Sequence, residues 1–251
     1  MSSNVFLTEK HLEVSRSTDG PIANDDVMRI GGVGSASAVL LVLLIGGGVF
    51  GWRSVSVTDQ VLTRLPTWIF PMMILGLVLA VVSFFKPALA RILAPLYAIV
   101  EGLVVGAISR VYELAFDGIV LQAAMLTIAI FAAMLLLYST RIIKVTDRLR
   151  RGIVAATMGI MIVYGVQLLF SLLGVGLEVP FIHDSGPIGI GVSLVIVGVA
   201  AFNYLIDFDF IEGAVAARAP RHLEWTAALG LLVTTVWLYL ELLRLLSKVR
   251  D

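Results

Sequence analysis

Long apolar runs separated by short polar stretches dominate the chain. They define seven segments, at about residues 33–52, 66–85, 92–112, 118–138, 152–174, 187–214 and 223–246. A helix of about 20 apolar residues crosses the hydrocarbon of a bilayer, where lipid offers the backbone no other hydrogen-bond partner. Because the connections are short, we expect neighbouring spans to pack as antiparallel hairpins. The pattern therefore predicts seven transmembrane helices.

Composition supports a bilayer rather than water as the main solvent. Hydrophobic residues make up 59% of the 251 residues and charged residues 14%, with a mean hydropathy of +0.99, whereas soluble domains carry about 25% charged residues. We predict an all-α polytopic membrane protein whose first partner is the lipid bilayer. We expect residues 1–30 to form a polar, mobile tail and residues 31–251 to form the transmembrane domain.

Several classes of function do not fit this sequence. The net charge is zero and no basic block interleaves with aromatics, which argues against nucleic-acid binding. The chain has no cysteine, and His11, His183 and His222 lie outside the apolar cores, so no intramembrane zinc site of the His-x-x-x-His type can form. An intramembrane aspartyl protease needs acids on two helices, whereas Asp207 and Asp209 share one. We expect no catalysis and no cofactor.

The distribution of lysine and arginine predicts the orientation. If the N-terminus is cytoplasmic, the inside segments hold twelve of these residues and the outside segments six. The cluster at residues 141–151 contributes five of the twelve. Because cytoplasmic loops carry the excess of positive charge, we predict the N-terminus inside and the C-terminus outside.

Glycine-rich patches, "IGGGVFGW" and "GPIGIGVS", occur in the first and sixth spans. Small residues let helices approach closely in lipid, where packing rather than hydrophobicity drives association. We interpret both patches as helix-packing surfaces.

Ionisable residues inside the predicted spans are the main candidates for function. A charge at the bilayer centre costs from about 3 to more than 10 kcal/mol, so such residues are usually conserved for a role or paired. The set is Glu101, Asp207, Asp209, Glu212, Glu241 and Arg244.

Each candidate also has a structural interpretation. Glu241 and Arg244 are three residues apart, the spacing of helix neighbours, and could neutralise each other. Asp209 and Glu212 share a face near the end of the sixth span, where they could form a solvated helix end. In that case the counter-charges would be Arg218 and Arg221.

Two acids are harder to assign to structure alone. Asp207 lies deeper than Asp209, on nearly the opposite face, one turn from Asn203. A carboxyl group next to an amide on an inward face favours a functional role. Glu101 is followed by Gly102 and Gly106, so it faces either a functional cavity or a buried structural hydrogen bond.

Two stretches carry a resemblance to a known family. The segment "FNYLIDFDFIEGAVAARAPRHLEWTAALGLLVTTVWLYLELLRLLSKV" resembles the end of the bacterial branch of the Bax inhibitor-1/YccA family, and "LYAIVEGLVVGAIS" resembles its third span. With "GWRSV" in the first span, the likeness covers roughly residues 27–251. It implies a seven-helix bundle with a central C-terminal helix in the bacterial cytoplasmic membrane.

The resemblance also implies a function. Several members are pH-sensitive calcium leaks, gated by two acids of spans six and seven that share a proton. "LID" places the first acid at Asp207, and "LYLELL" places Glu241 at the second; both would then be candidate calcium ligands. Coupled carboxyls of this kind cannot both ionise cheaply. However, Asp207 is 12 residues from a turn near Ala219 and Glu241 is 22, a difference in depth of about 15 Å.

Two alternatives remain open from the sequence. If Glu101, Asp207, Asp209 and Glu241 all face one interior, they form a series of carboxylates suited to passing cations or protons. The second alternative is a regulatory protein without transport. A bacterial relative binds and restrains a membrane-anchored ATP-dependent protease, and the polar tail at residues 2–26 is the segment that such a partner would bind.

Overall fold

A computed structural model describes residues 26–55, 66–172 and 186–250, and these residues are almost entirely helical. The seven helices are α1 Ile30–Ser54, α2 Ile69–Phe85, α3 Ala90–Ala115, α4 Ile119–Ser139, α5 Asp147–Leu172, α6 Pro187–Ala216 and α7 Leu223–Arg250, with a 3₁₀ turn at Pro87–Leu89. Six are long and apolar enough to cross a membrane, and α2 is a shorter apolar helix of 17 residues. The prediction of a polytopic helical bundle is confirmed.

Helix α7 lies at the centre of the bundle. It packs against α1, α2, α3, α4 and α6, and its side chains also reach α5. Its buried residues are distributed around the helix rather than along one stripe, as expected for a helix surrounded by others. The predicted central C-terminal helix is confirmed.

The expectation of antiparallel hairpins is wrong at two places. Among the described residues, α1 packs against α3 rather than α2, and α4 packs against α6 and α7 rather than α5. Of the helices that follow each other in the described residues, four pairs do contact each other: α2–α3, α3–α4, α5–α6 and α6–α7. A short connection permits two consecutive helices to pack as a hairpin but does not require it, because another helix can approach more closely.

Glycines explain the preference of α1 for α3. A Cβ atom added to Gly51 would collide with the carbonyl oxygen of Leu103, and one added to Gly106 would collide with that of Gly48. Such contacts bring the two backbones together without intervening side chains. The packing role predicted for "IGGGVFGW" is therefore confirmed.

The described residues just before α1 and at the end of α7 are tied to inter-helix connections. Before α1, the backbone nitrogen of Met28 donates to Ala219 at 2.8 Å, and that of Arg221 donates to Asp26 at 2.8 Å. At the other end, Arg250 donates to the carbonyl oxygen of Asp117 at 2.8 Å. Residues 26–29, assigned to the mobile tail from sequence, are thus held in place, whereas residues 1–25, the remainder of that tail, lie outside the described residues.

Candidate functional site

The predicted acids at the end of α6 are joined to the connection between α4 and α5. Asp209 forms an ion pair with Arg150 near the start of α5. Glu212 accepts hydrogen bonds from Tyr138, near the end of α4, and from Arg141. Both carboxylates therefore have cationic partners.

These contacts correct the prediction of which residues neutralise the acids at the end of α6. Sequence proximity suggested Arg218 and Arg221, but Arg141 and Arg150 supply the charges facing Asp209 and Glu212. Arg221 instead lies 3.7 Å from Glu224. Because α6 packs beside α4 and α5, residues distant in sequence come closer to these acids than the following loop does.

Asp207 lies at the interface of α6 with α7. Thr234 donates a hydrogen bond to its Oδ2 atom at 2.7 Å, and its Oδ1 atom would lie 3.6 Å from a Cβ atom added to Gly230. In the part of the chain that the structure describes, no lysine or arginine forms an ion pair with Asp207. This carboxyl group is held by one neutral hydroxyl donor.

Asn203 does not share the environment of Asp207. Its amide nitrogen donates to Thr157 at 2.9 Å and to the carbonyl oxygen of Val199 at 2.8 Å. It thus links α6 to α5 rather than facing α7. The structure assigns Asn203 to helix packing.

The charge of Glu241 is neutralised by Arg244, one turn further along α7. Its side chain is only 2% exposed, lies 3.2 Å from Arg244 and accepts a hydrogen bond of 2.6 Å from Tyr164 of α5. Arg244 also donates to Tyr164 at 2.6 Å and lies 5.2 Å from the centre of its ring. The pairing of Glu241 with Arg244 expected from their spacing is present, with Tyr164 as a third member.

Asp207 and Glu241 have separate partners. The α7 residue bonded to Asp207 is Thr234, which precedes Glu241 by seven residues, a rise of about 10.5 Å along the helix. This agrees with the hairpin arithmetic, since Asp207 and Thr234 are 12 and 15 residues from Ala219. The proton-sharing pair implied by the resemblance is not formed in this arrangement.

Glu101 lies on another side of the bundle. Its Oε2 atom is 3.0 Å from the position of a Cβ atom on Gly76, so the carboxyl group faces α2. Helix α3, which carries Glu101, does not contact α6 in the described residues. The four acids proposed as one series therefore lie in four different environments: Glu101 faces α2, Asp207 lies at the α6–α7 interface, and Asp209 and Glu241 each belong to a separate ion-paired cluster.

Two polar partners were missed from the sequence. Thr234, in "VTTVW", and Tyr164, in "IVYGV", stand inside apolar runs where a hydroxyl needs a hydrogen-bond partner. That requirement could have singled them out, but the helix pairing decides which acid each one meets. The described residues also contain no group of three or more acidic or histidine side chains able to hold a metal.

One comparison with known proteins identifies the family. The model of the family described as Bax inhibitor 1 like matches residues 4–251. The chain belongs to this family. A search of curated proteins finds no match. Membership of the Bax inhibitor 1 like family agrees with the helical membrane bundle and with the resemblance carried by "LIDFDFIE" and "LYLELL".

Proposed function

We propose that the protein is a pH-sensitive cation leak pathway, with calcium as the transported ion, and that Asp207 is its proton- and cation-sensitive group. The supporting observation is the difference in the partners of the acids predicted to lie in the spans. Asp209, Glu212 and Glu241 are each neutralised by an arginine. Glu101 and Asp207 form no ion pair among the described residues, and of these two acids Asp207 is the one that bonds to the central helix α7, through Thr234.

The charge of Asp207 must therefore be balanced from solution. A lone carboxylate in a membrane span is costly, and either a proton or a cation removes that cost. When pH rises and the proton leaves, the carboxylate attracts a cation, for which its oxygens are hard ligands. Cation flux should accordingly increase with pH.

The ion pairs at the end of α6 supply a second part of the proposal. Asp209, which lies two residues after Asp207, pairs with Arg150, and Glu212 pairs with Arg141. These contacts join the α4–α5 connection to α6 beside the α6–α7 interface. We infer that they hold the closed arrangement, since a cation reaching Asp207 from this end must pass them.

The test is calcium flux into liposomes containing the protein and a calcium-sensitive dye, over about pH 6–8, where functionally tuned carboxyls titrate. The wild type should show flux that rises with pH. Asp207→Asn keeps the size of the side chain and its bond to Thr234, but it removes the charge, so it should leave a low, pH-independent flux.

A double variant provides the matched control. Glu241→Gln combined with Arg244→Gln removes both charges of a neutral pair and should preserve the pH dependence. If the double variant lost its pH dependence while Asp207→Asn behaved like the wild type, Glu241 rather than Asp207 would be the pH-sensitive group. Absence of flux at every pH would reject the leak function.

We also propose that the protein lies in the bacterial cytoplasmic membrane with its N-terminus inside. Under this orientation the Arg150–Asp209 and Arg141–Glu212 pairs lie at the cytoplasmic end of the bundle. The alternative of a protease-binding regulator depends on the tail before residue 26, outside the described residues, and stays a prediction.

A further inference from the structure

A groove of about 810 Å³ opens on the surface of the bundle between α1 and α4. In the described residues these two helices do not contact each other, and α3 and α7 form the floor between them. Along α1 the groove runs from Ser37 to Arg53, a rise of about 24 Å. It is a long, narrow recess rather than a compact cavity.

The walls of the groove are mainly apolar, and four of its five hydroxyl groups are already bonded; the exception is Ser37, whose Oγ atom has no hydrogen-bond partner among the described residues. Ser109 and Tyr239 bond to each other at 2.7 Å. Thr127 donates to the carbonyl oxygen of Ala123 at 2.8 Å, and Thr235 donates to that of Leu231 at 2.6 Å. Such a surface offers little to water or ions, but an empty recess would forfeit dispersion contacts along its whole length.

One end of the groove is positively charged. Arg53 lines this end and is exposed. The guanidinium group of Arg110 lies 5.1 Å from the ring centre of Trp52, which also lines the groove. Neither arginine forms an ion pair with a carboxylate in the described part of the chain. Trp52 and Arg53 stand at the end of α1, the level at which tryptophan and arginine meet lipid head groups.

We propose that this groove binds one acyl chain of an anionic phospholipid, with the lipid phosphate at Arg53 and Arg110. Guanidinium groups match phosphate oxygens in geometry and charge, and basic residues between transmembrane helices bind anionic head groups. The groove exceeds the roughly 15 Å of hydrocarbon in one leaflet. Its volume also lies within the usual range of single-ligand sites, about 300–1,000 Å³.

Lipid retention measured by native mass spectrometry tests the proposal. The purified protein would be delipidated in detergent, then titrated with phosphatidylglycerol or with phosphatidylcholine of the same acyl chains. We expect one phosphatidylglycerol molecule to bind with an affinity at least about fivefold higher than that of phosphatidylcholine, because the choline cation of phosphatidylcholine offsets its phosphate, whereas the net negative charge of phosphatidylglycerol is attracted by an arginine.

Two variants separate the chain site from the head-group site. Arg53→Gln should reduce the preference for phosphatidylglycerol by about fivefold while still binding one lipid. Ala124→Phe places a ring in the groove from α4 and should abolish retention of either lipid. Ala133→Phe, on the exposed opposite face of α4, is the matched control and should bind like the wild type.

Three outcomes would overturn the proposal. Equal retention of the two lipids by the wild type would show that the groove does not recognise an anionic head group. Unchanged retention in Ala124→Phe would place the lipid elsewhere on the surface. Loss of retention in Ala133→Phe as well as in Ala124→Phe would show that any bulky residue on α4 disturbs binding.

Discussion

The buried acids of this protein differ in what neutralises them. Glu241 has Arg244 and Tyr164, whereas Asp207 has Thr234 alone among the described residues. The resemblance seen in the sequence implied that the acids of spans six and seven are partners. The contacts instead make Glu241 part of a neutral cluster and leave Asp207 without a cationic partner among the described residues.

At the residue scale we predict strong coupling between Glu241 and Arg244. Glu241→Gln and Arg244→Met should each lower the free energy of unfolding in mixed micelles, because each leaves a buried charge unpaired. The double variant should be less destabilised than the sum of the two single variants, by about 1–3 kcal/mol. Simple additivity would show that the pair contributes nothing beyond its separate side chains.

At the element scale, the contact between α1 and α3 should tolerate no added methyl group. Gly102→Ala places a Cβ atom against the backbone of Leu44 and Gly48. Backbone atoms cannot move aside as a flexible side chain can, so the helices must separate, at a cost of about 1–3 kcal/mol. We expect a lower midpoint of thermal unfolding.

Gly46→Ala is the matched control for this substitution. A Cβ atom on Gly46 meets no atom within 4 Å, and alanine stabilises a helix by about 1 kcal/mol relative to glycine. The control should therefore unfold at the same or a higher temperature. A similar midpoint for both variants would mean that α1 and α3 do not pack at the observed distance.

The start of α1 depends on an acid from α7. Glu224 is buried and accepts a hydrogen bond of 3.0 Å from the backbone nitrogen of Arg29, at the positive end of the α1 dipole. Glu224→Ala should cost about 1 kcal/mol and accelerate hydrogen exchange of amides in residues 28–33. The start of α4, held by Glu113, should exchange as in the wild type; equal acceleration at both sites would indicate global destabilisation instead.

At the scale of the whole molecule, the described residues before α1 and at the end of α7 are tied to connections at opposite ends of the bundle. Met28 bonds to the α6–α7 connection, and Arg250 bonds to the α3–α4 connection. If each helix crosses the membrane once, these two connections lie on opposite sides. This is the arrangement required by seven spans, with the N- and C-termini on different sides.

The absence of cysteine makes the orientation directly testable. Lys144→Cys and Asp117→Cys introduce single thiols at exposed positions of the α4–α5 and α3–α4 connections. The excess of basic residues inside predicts that a membrane-impermeant thiol reagent labels Asp117→Cys from outside intact cells, but not Lys144→Cys. The reverse labelling would invert the orientation, and labelling of both would contradict the crossing of α4.

The sequence alone determined the helical membrane fold, the approximate position of each helix and the set of acids within the apolar segments. These properties are local, because the length of an apolar run measured against the bilayer already predicts a spanning helix. Only the tertiary structure decided that α1 packs on α3 and that Thr234 bonds to Asp207. It also decided that Tyr164, 77 residues away in sequence, meets Glu241. Such partners depend on which helices approach most closely, and for α1 and α3 glycine contacts between distant segments permit that approach.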